Sequence, residues 1–158
     1  MDALVALALS IGILIAGWTY VALGPGALPV WAGIVAWGCF FAAGGKTEGL
    51  MKTIAANLSG VLWAFLALTA WNSLGGGVPM LSLLVGVAAF GMVLQAKIPA
   101  LGFIPGAFLG AATAVSVVVG ANGSWAKTCI ALVIGAVLGY ISEMLAGALT
   151  KSTKQAAA

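Results

Sequence analysis

Three acids, six lysines and two cysteines, with no histidine and no arginine, are all the acidic, basic and thiol side chains of this sequence. Without histidine, the usual general base, the commonest metal ligand and any histidine-based triad are missing. The acids Asp2, Glu48 and Glu143 lie far apart along the chain. Cys39 and Cys129 stand singly inside apolar runs, without metal-ligand spacing, and read as small buried hydrophobes. No catalytic residue, metal or cofactor is expected, and the protein is expected not to be an enzyme.

The remaining polar groups suit packing or passage. Glu143 falls on a fourfold stripe with Ala131, Gly135, Gly139 and Gly147. Small residues at that spacing let helix backbones approach closely, so Glu143 points into a bundle. An ionisable residue within a span is a functional candidate. Two readings stand: Glu143 handles a solute or proton, with Tyr140 as hydrogen-bond partner, or it sits near an interface and pairs with Lys97 or Lys151. Asn57 lies about one turn from Gly60 and faces the interior. It glues helices together or presents its amide to a polar solute. Trp63, like Trp37, falls in mid-span, as core filling or as an aromatic wall of a path.

The segment Phe103-Ile104-Pro105-Gly106-Ala107-Phe108-Leu109-Gly110-Ala111 is apolar enough for a bilayer yet carries a proline and two glycines. Backbone groups freed by proline need partners within the protein. A fainter counterpart is Leu28-Pro29-Val30-Trp31-Ala32-Gly33. Paired Pro/Gly-interrupted segments in two halves point to a transporter's binding site. Phe103, Pro105, Gly106, Gly110 and Thr113 from the second, and Pro29 from the first, join Asn57, Trp63, Tyr140 and Glu143 as solute-path candidates.

The elements that must position these residues are membrane helices. The chain is 63% hydrophobic and 6% charged, with a mean hydropathy of +1.21, whereas soluble domains are about 25% charged. The lysines form no basic cluster, which argues against nucleic acid. Six apolar runs appear, at 3–23, 28–43, 50–71, 78–95, 101–119 and 126–149. The first lacks a basic leader and is expected to be a retained span. Glycine, proline and asparagine mark the breaks. Lys46, Lys52, Lys97, Lys151 and Lys154 fall on the side of the N-terminus, and Lys127 on the other. Both termini are therefore expected in the cytoplasm. Trp18, Trp31, Trp71 and Trp125 fall near the opposite interface, as an aromatic belt would.

The halves match at an offset of about 75 residues: Gly12 and Gly17 with Gly86 and Gly91, Gly60 with Gly135, Pro29 and Gly44 with Pro105 and Gly120. Three spans per repeat invert the second half. The expected fold is all-α integral membrane. It has six transmembrane helices in an inverted 3+3 repeat, with short second and fifth helices. It forms one transmembrane domain over 1–158, with repeats at about 3–72 and 77–149 and a short cytoplasmic tail at 150–158.

Several of these segments, namely Ser59-Gly60-Val61-Leu62-Trp63-Ala64, Gln95-Ala96-Lys97, Phe103 to Ala111 and Gly135…Gly139-Tyr140, resemble the YcdZ-like family of small bacterial inner-membrane proteins. The resemblance runs from about Ile11 to Tyr140. It implies a bacterial inner membrane and six helical spans, and no established activity; Glu143 lies past its clearest part. The function expected is a channel or facilitator for a small neutral solute or weak acid or anion, with the path between the two short helices. The alternative is a non-transporting accessory or structural subunit that packs with itself or a partner through glycine faces. The expected partners are the lipid bilayer, a small-molecule solute and, in a chain this small, further copies of itself.

Overall fold

The computed structural model describes residues 2–156, with side chains for 2–150. Lys151 and Lys154, which served above as topology markers, and Lys151 also as one candidate partner for Glu143, have side chains outside the described residues. Among the described residues the fold is all helix: α1 Ala3–Leu23, α2 Val30–Ala42, α3 Lys46–Leu74, α4 Gly77–Leu94, α5 Ile104–Val115 and α6 Trp125–Ala156. Four of them, α1, α3, α4 and α6, are long and apolar enough to cross a membrane. With 13 and 12 residues, α2 and α5 span about 20 and 18 Å, against a hydrocarbon core of about 30 Å.

Proline explains where the short helices start. Pro29 is the residue before the first turn of α2, and Pro105 lies within the first turn of α5. First-turn amides have no helical acceptor, so proline costs nothing there. The Pro-Gly segment therefore opens α5 instead of breaking a longer span. The chain between α4 and α5 forms two 3₁₀ turns, Gln95–Lys97 and Pro99–Leu101, and α5 widens into a π turn over Ser116–Gly120. At the α3–α4 reversal Gly75, Gly76 and Gly77 all take positive φ, a run open only to glycine without strain.

A core of α2, α3, α5 and α6 holds the bundle, with α3 packed chiefly on α5 and α2 on α6. Glycines make this close approach: a Cβ at Gly60 of α3 would overlap the Ala107 carbonyl of α5, and one at Gly135 of α6 would overlap that of Gly33 in α2. The outer helices each lean on one core helix, α1 on α6 and α4 on α3. Trp18 is not part of an interfacial belt. Its ring lies over Gly33, its Nε1–H donates to the Val30 carbonyl at 3.0 Å, and it is buried. Glycine leaves the space that an indole fills. Trp31, in contrast, is exposed on the apolar surface.

Candidate functional site

Hydrogen bonding singles out one place in the core. Five polar side chains are fully buried among the described residues: Ser10, Thr53, Asn57, Thr128 and Ser142. Three are satisfied. The single Ser10 Oγ–H has two carbonyl acceptors in reach, Leu7 and Ser142, at 2.9 Å each. Ser142 Oγ donates to the Gly139 carbonyl at 2.7 Å and accepts from Trp37 Nε1 at 3.1 Å. Thr128 Oγ1 donates to the Ser124 carbonyl at 2.9 Å. The other two, Thr53 and Asn57, are one turn apart on α3. Thr53 Oγ1 and both amide atoms of Asn57 have no nitrogen or oxygen hydrogen-bond partner in the protein, and the Asn57 amide meets only the thiol of Cys39.

The neighbours of Asn57 come from both short helices. Its backbone lies against Gly110 of α5, where a Cβ would overlap the Asn57 carbonyl. Its side chain faces the thiol of Cys39 in α2. An orphaned buried polar group costs about 1–3 kcal/mol, and here three converge where α2, α3 and α5 meet. As interhelical glue, Asn57 has at most the weakly bonding thiol of Cys39 to hold, which leaves most of its amide's bonding capacity unused.

The remaining candidates fall into three places. Phe103, Gly106 and Gly110 share the α5 face toward α3. The space beside Gly106 is filled by the Phe103 ring and by Ala56 of α3, so Gly106 serves close packing. Thr113 is half-buried one turn further along α5, and Pro105 is exposed at its start. Pro29 lines a depression of about 480 Å³ together with Val117, Asn122, Ser124 and Lys127, where the start of α2 meets the π turn after α5. Trp63 lies elsewhere, at the α3–α4 contact. Its ring covers Gly91, and its Nε1–H donates to Gln95 Oε1 at 2.9 Å, while Gln95 Nε2 donates to Ser59 Oγ at 2.8 Å. Gln95 thus ties the end of α4 to α3.

Glu143 and Tyr140 occupy the other end of α6. The Glu143 carboxylate accepts from the Lys46 backbone N–H at 2.7 Å and sits over Gly45, where a Cβ would lie 2.7 Å from Oε1. It caps the N-terminus of α3, whose partial positive charge favours a carboxylate. Tyr140 does not bond to it; its ring meets Phe40 edge-on, with centroids 6.3 Å apart. Glu143 also borders a depression of about 460 Å³ between α1 and α6. A third groove, about 570 Å³ between α3, α4 and α5, is lined by apolar residues such as Ala64, Met92, Phe108 and Val115. It suits an acyl chain better than a polar solute. The sequence did not point to Thr53: nothing in its local pattern separates an orphaned hydroxyl from one bonded back to its own helix.

Residues 8–147 match a family described as protein of unknown function (DUF1097). The chain is 34% identical to the inner membrane protein YcdZ of Escherichia coli K12 over 142 residues, covering 89% of this chain and 83% of that protein. It is 35% identical to YcdZ of Salmonella typhimurium LT2 over 144 residues, covering 89% and 85%. The uncharacterized protein YahC of Escherichia coli K12 is 32% identical over 163 residues, covering 97% and 96%. No solved structure matches the chain.

Proposed function

The chain belongs to the DUF1097 family, and on that premise we propose that it is a multi-pass protein of the bacterial inner membrane that conducts a small neutral solute or weak acid between its two short helices, without catalysing a reaction. The names of its relatives support the location, and the lysine bias supports cytoplasmic termini. Six crossings in an inverted 3+3 repeat are supported by the symmetry of the packing. Exchanging α1–α3 with α4–α6 turns the α3–α5 contact into α6–α2, and the α1–α6 contact into α4–α3. These are the dominant pairs of the bundle. The close contacts recur with them: Gly60 against Ala107, and 75 residues on, Gly135 against Gly33. Each short helix also meets its long partner at or before that partner's midpoint, at Gly60 of α3 and Gly135 of α6.

The observation that carries the transport reading is the trio of orphaned polar atoms on Thr53 and Asn57, bordered by α2 and α5. A purely structural bundle gains nothing by burying them, whereas a path needs hydrogen-bonding groups that are free to serve what passes. The depression at Pro29 and Lys127 is the place where we put a mouth on one side, since it carries polar side chains and borders the start of α2.

One observation favours the accessory reading. Gly12 and Gly17 on α1 and Gly86 on α4 have open space where a side chain would stand, which suits docking of a further copy or another membrane helix. Stopped-flow light scattering on proteoliposomes separates the two. Urea, glycerol, formate and acetate would be compared for wild type and Asn57→Leu, which keeps the size of the side chain but removes its amide. Conduction predicts permeability above empty liposomes for at least one solute, lowered about tenfold or more in the variant. Permeability equal to empty liposomes for every solute would reject conduction in favour of the accessory role.

A further inference from the structure

We infer that Asn57 and Thr53 form a binding site for a small uncharged molecule that both donates and accepts hydrogen bonds, with water, urea and simple amides as the chemical class. The inference rests on the path proposed above and defines what that path selects.

The site offers both halves of a hydrogen-bond pair. Asn57 presents two N–H donors on Nδ2 and two lone pairs on Oδ1, and Thr53 Oγ1 donates one and accepts up to two. All three atoms are buried without a nitrogen or oxygen partner, the Asn57 amide facing only the weakly bonding Cys39 thiol, and Asn57 and Thr53 are 1% and 0% exposed. Lying four residues apart on one helix, they present their polar groups on the same face. A ligand that only accepts would leave Oδ1 unsatisfied, and one that only donates would leave Nδ2 unsatisfied. The match is a molecule with both functions.

Charge is excluded by what surrounds the site. Cys39 of α2 faces the Asn57 side chain and Gly110 of α5 lies against the Asn57 backbone, and neither carries charge. The nearest charged residue along α3 toward its start is Lys52, whose ammonium is engaged by Glu48 at 2.6 Å on the outer surface. An ion at Asn57 would lose its hydration without a counter-charge, at a cost of several kcal/mol. Among the described residues, the equivalent positions of the opposite half form no such site. At the positions 75 residues on, Thr128 is satisfied by its own helix, and Leu132 stands where Asn57 does and is buried. One polar station per chain results.

Side-chain NMR tests this directly. The chain has three asparagines, Asn57, Asn72 and Asn122. With ¹⁵N-asparagine in detergent-solubilised full-length protein, the Asn57 signal is assigned by its loss in Asn57→Leu. Urea and formamide are titrated against sodium acetate and guanidinium chloride. Saturable shifts of the Asn57 amide with the neutral probes only, weakened about tenfold in Thr53→Val, are the expected result. An Asn57 signal that ignores both neutral probes and shows no exchange with water overturns the site, as do equal shifts with the ions. Should Asn57→Leu fail to fold, Thr53→Val, which keeps the shape, still gives the comparison. Liposome permeability of the same proteins separates the two readings. Saturable neutral binding without any permeability keeps the site and removes the channel. Permeability unchanged in Thr53→Val and Asn57→Leu keeps the channel and removes the site.

Discussion

Glu143 shows how a charged side chain in a membrane helix can be structural. Its carboxylate reaches across from α6 to the first backbone N–H of α3, beside a turn in which Gly44, Gly45 and Lys46 all take positive φ. The strain of a non-glycine residue at Lys46 is held by that bond, since a left-handed backbone needs surroundings that fix it. The sequence put Glu143 on a small-residue stripe of α6 turned toward other helices, and its carboxylate reaches the start of α3. Its partner was illegible because a backbone amide leaves no mark on sequence, whereas lysines do. Glu143→Gln keeps an acceptor and loses the charge; Glu143→Ala loses both. Unfolding in detergent should show Ala destabilised by about 1–2 kcal/mol and Gln by about half of that. Equal loss in both variants would mean that charge, not the hydrogen bond, holds the turn, and no loss in either would remove the capping role. Asn57 was legible as an interior residue through its spacing from Gly60. Its lack of partners depends on what α2 and α5 bring to it, and that is a tertiary property.

At the scale of elements, the glycines divide by use. Gly60, Gly110 and Gly135 lie where another helix's backbone occupies the side-chain position, while Gly12, Gly17 and Gly86 face open space. The fourfold stripe on α6 revealed Gly135 of the first class, because periodic small residues mark close helix approach. The sequence also located the short helices, since Pro29 and Pro105 can only stand at a helix start or at a break. It gave no sign of the two 3₁₀ turns after α4 or of the π turn after α5, whose residues are ordinary helix or loop formers. Alanine at Gly60 or Gly135 must push α5 or α2 away along the whole contact. Each should cost about 2 kcal/mol or more, as overpacking does, whereas Gly12→Ala and Gly86→Ala should leave the monomer unchanged or slightly more stable. Thermal unfolding in detergent checks this. A Gly60→Ala protein as stable as wild type would contradict the backbone contact. Gly106→Leu belongs with the first group, because Phe103 and Ala56 already fill its space; it would unseat α5 before it plugged any path.

For the whole molecule, the bundle is near-symmetric in packing and asymmetric in chemistry. Polar, unpartnered groups line the α3 side of the crossing, and apolar Leu132 with a satisfied Thr128 lines the α6 side. A repeat can be read from glycine spacing, but this asymmetry needs both the repeat and the hydrogen bonds. It makes Cys39 a built-in reporter. The thiol faces Asn57 and is 2% exposed, so reagents in the surrounding lipid or water reach it only through the bundle. With Cys129→Ser as background, methyl methanethiosulfonate, small and neutral, should modify Cys39 in folded protein and reduce solute permeability. The charged trimethylammonium-ethyl reagent should react much more slowly, because an ion pays desolvation at a site without counter-charge. Mass spectrometry of intact protein measures the first result, and liposome flux the second. A Cys39 that reacts with neither reagent until the protein is unfolded would mean a sealed core, and the outward glycines of α1 and α4 would then be the surface through which this protein acts.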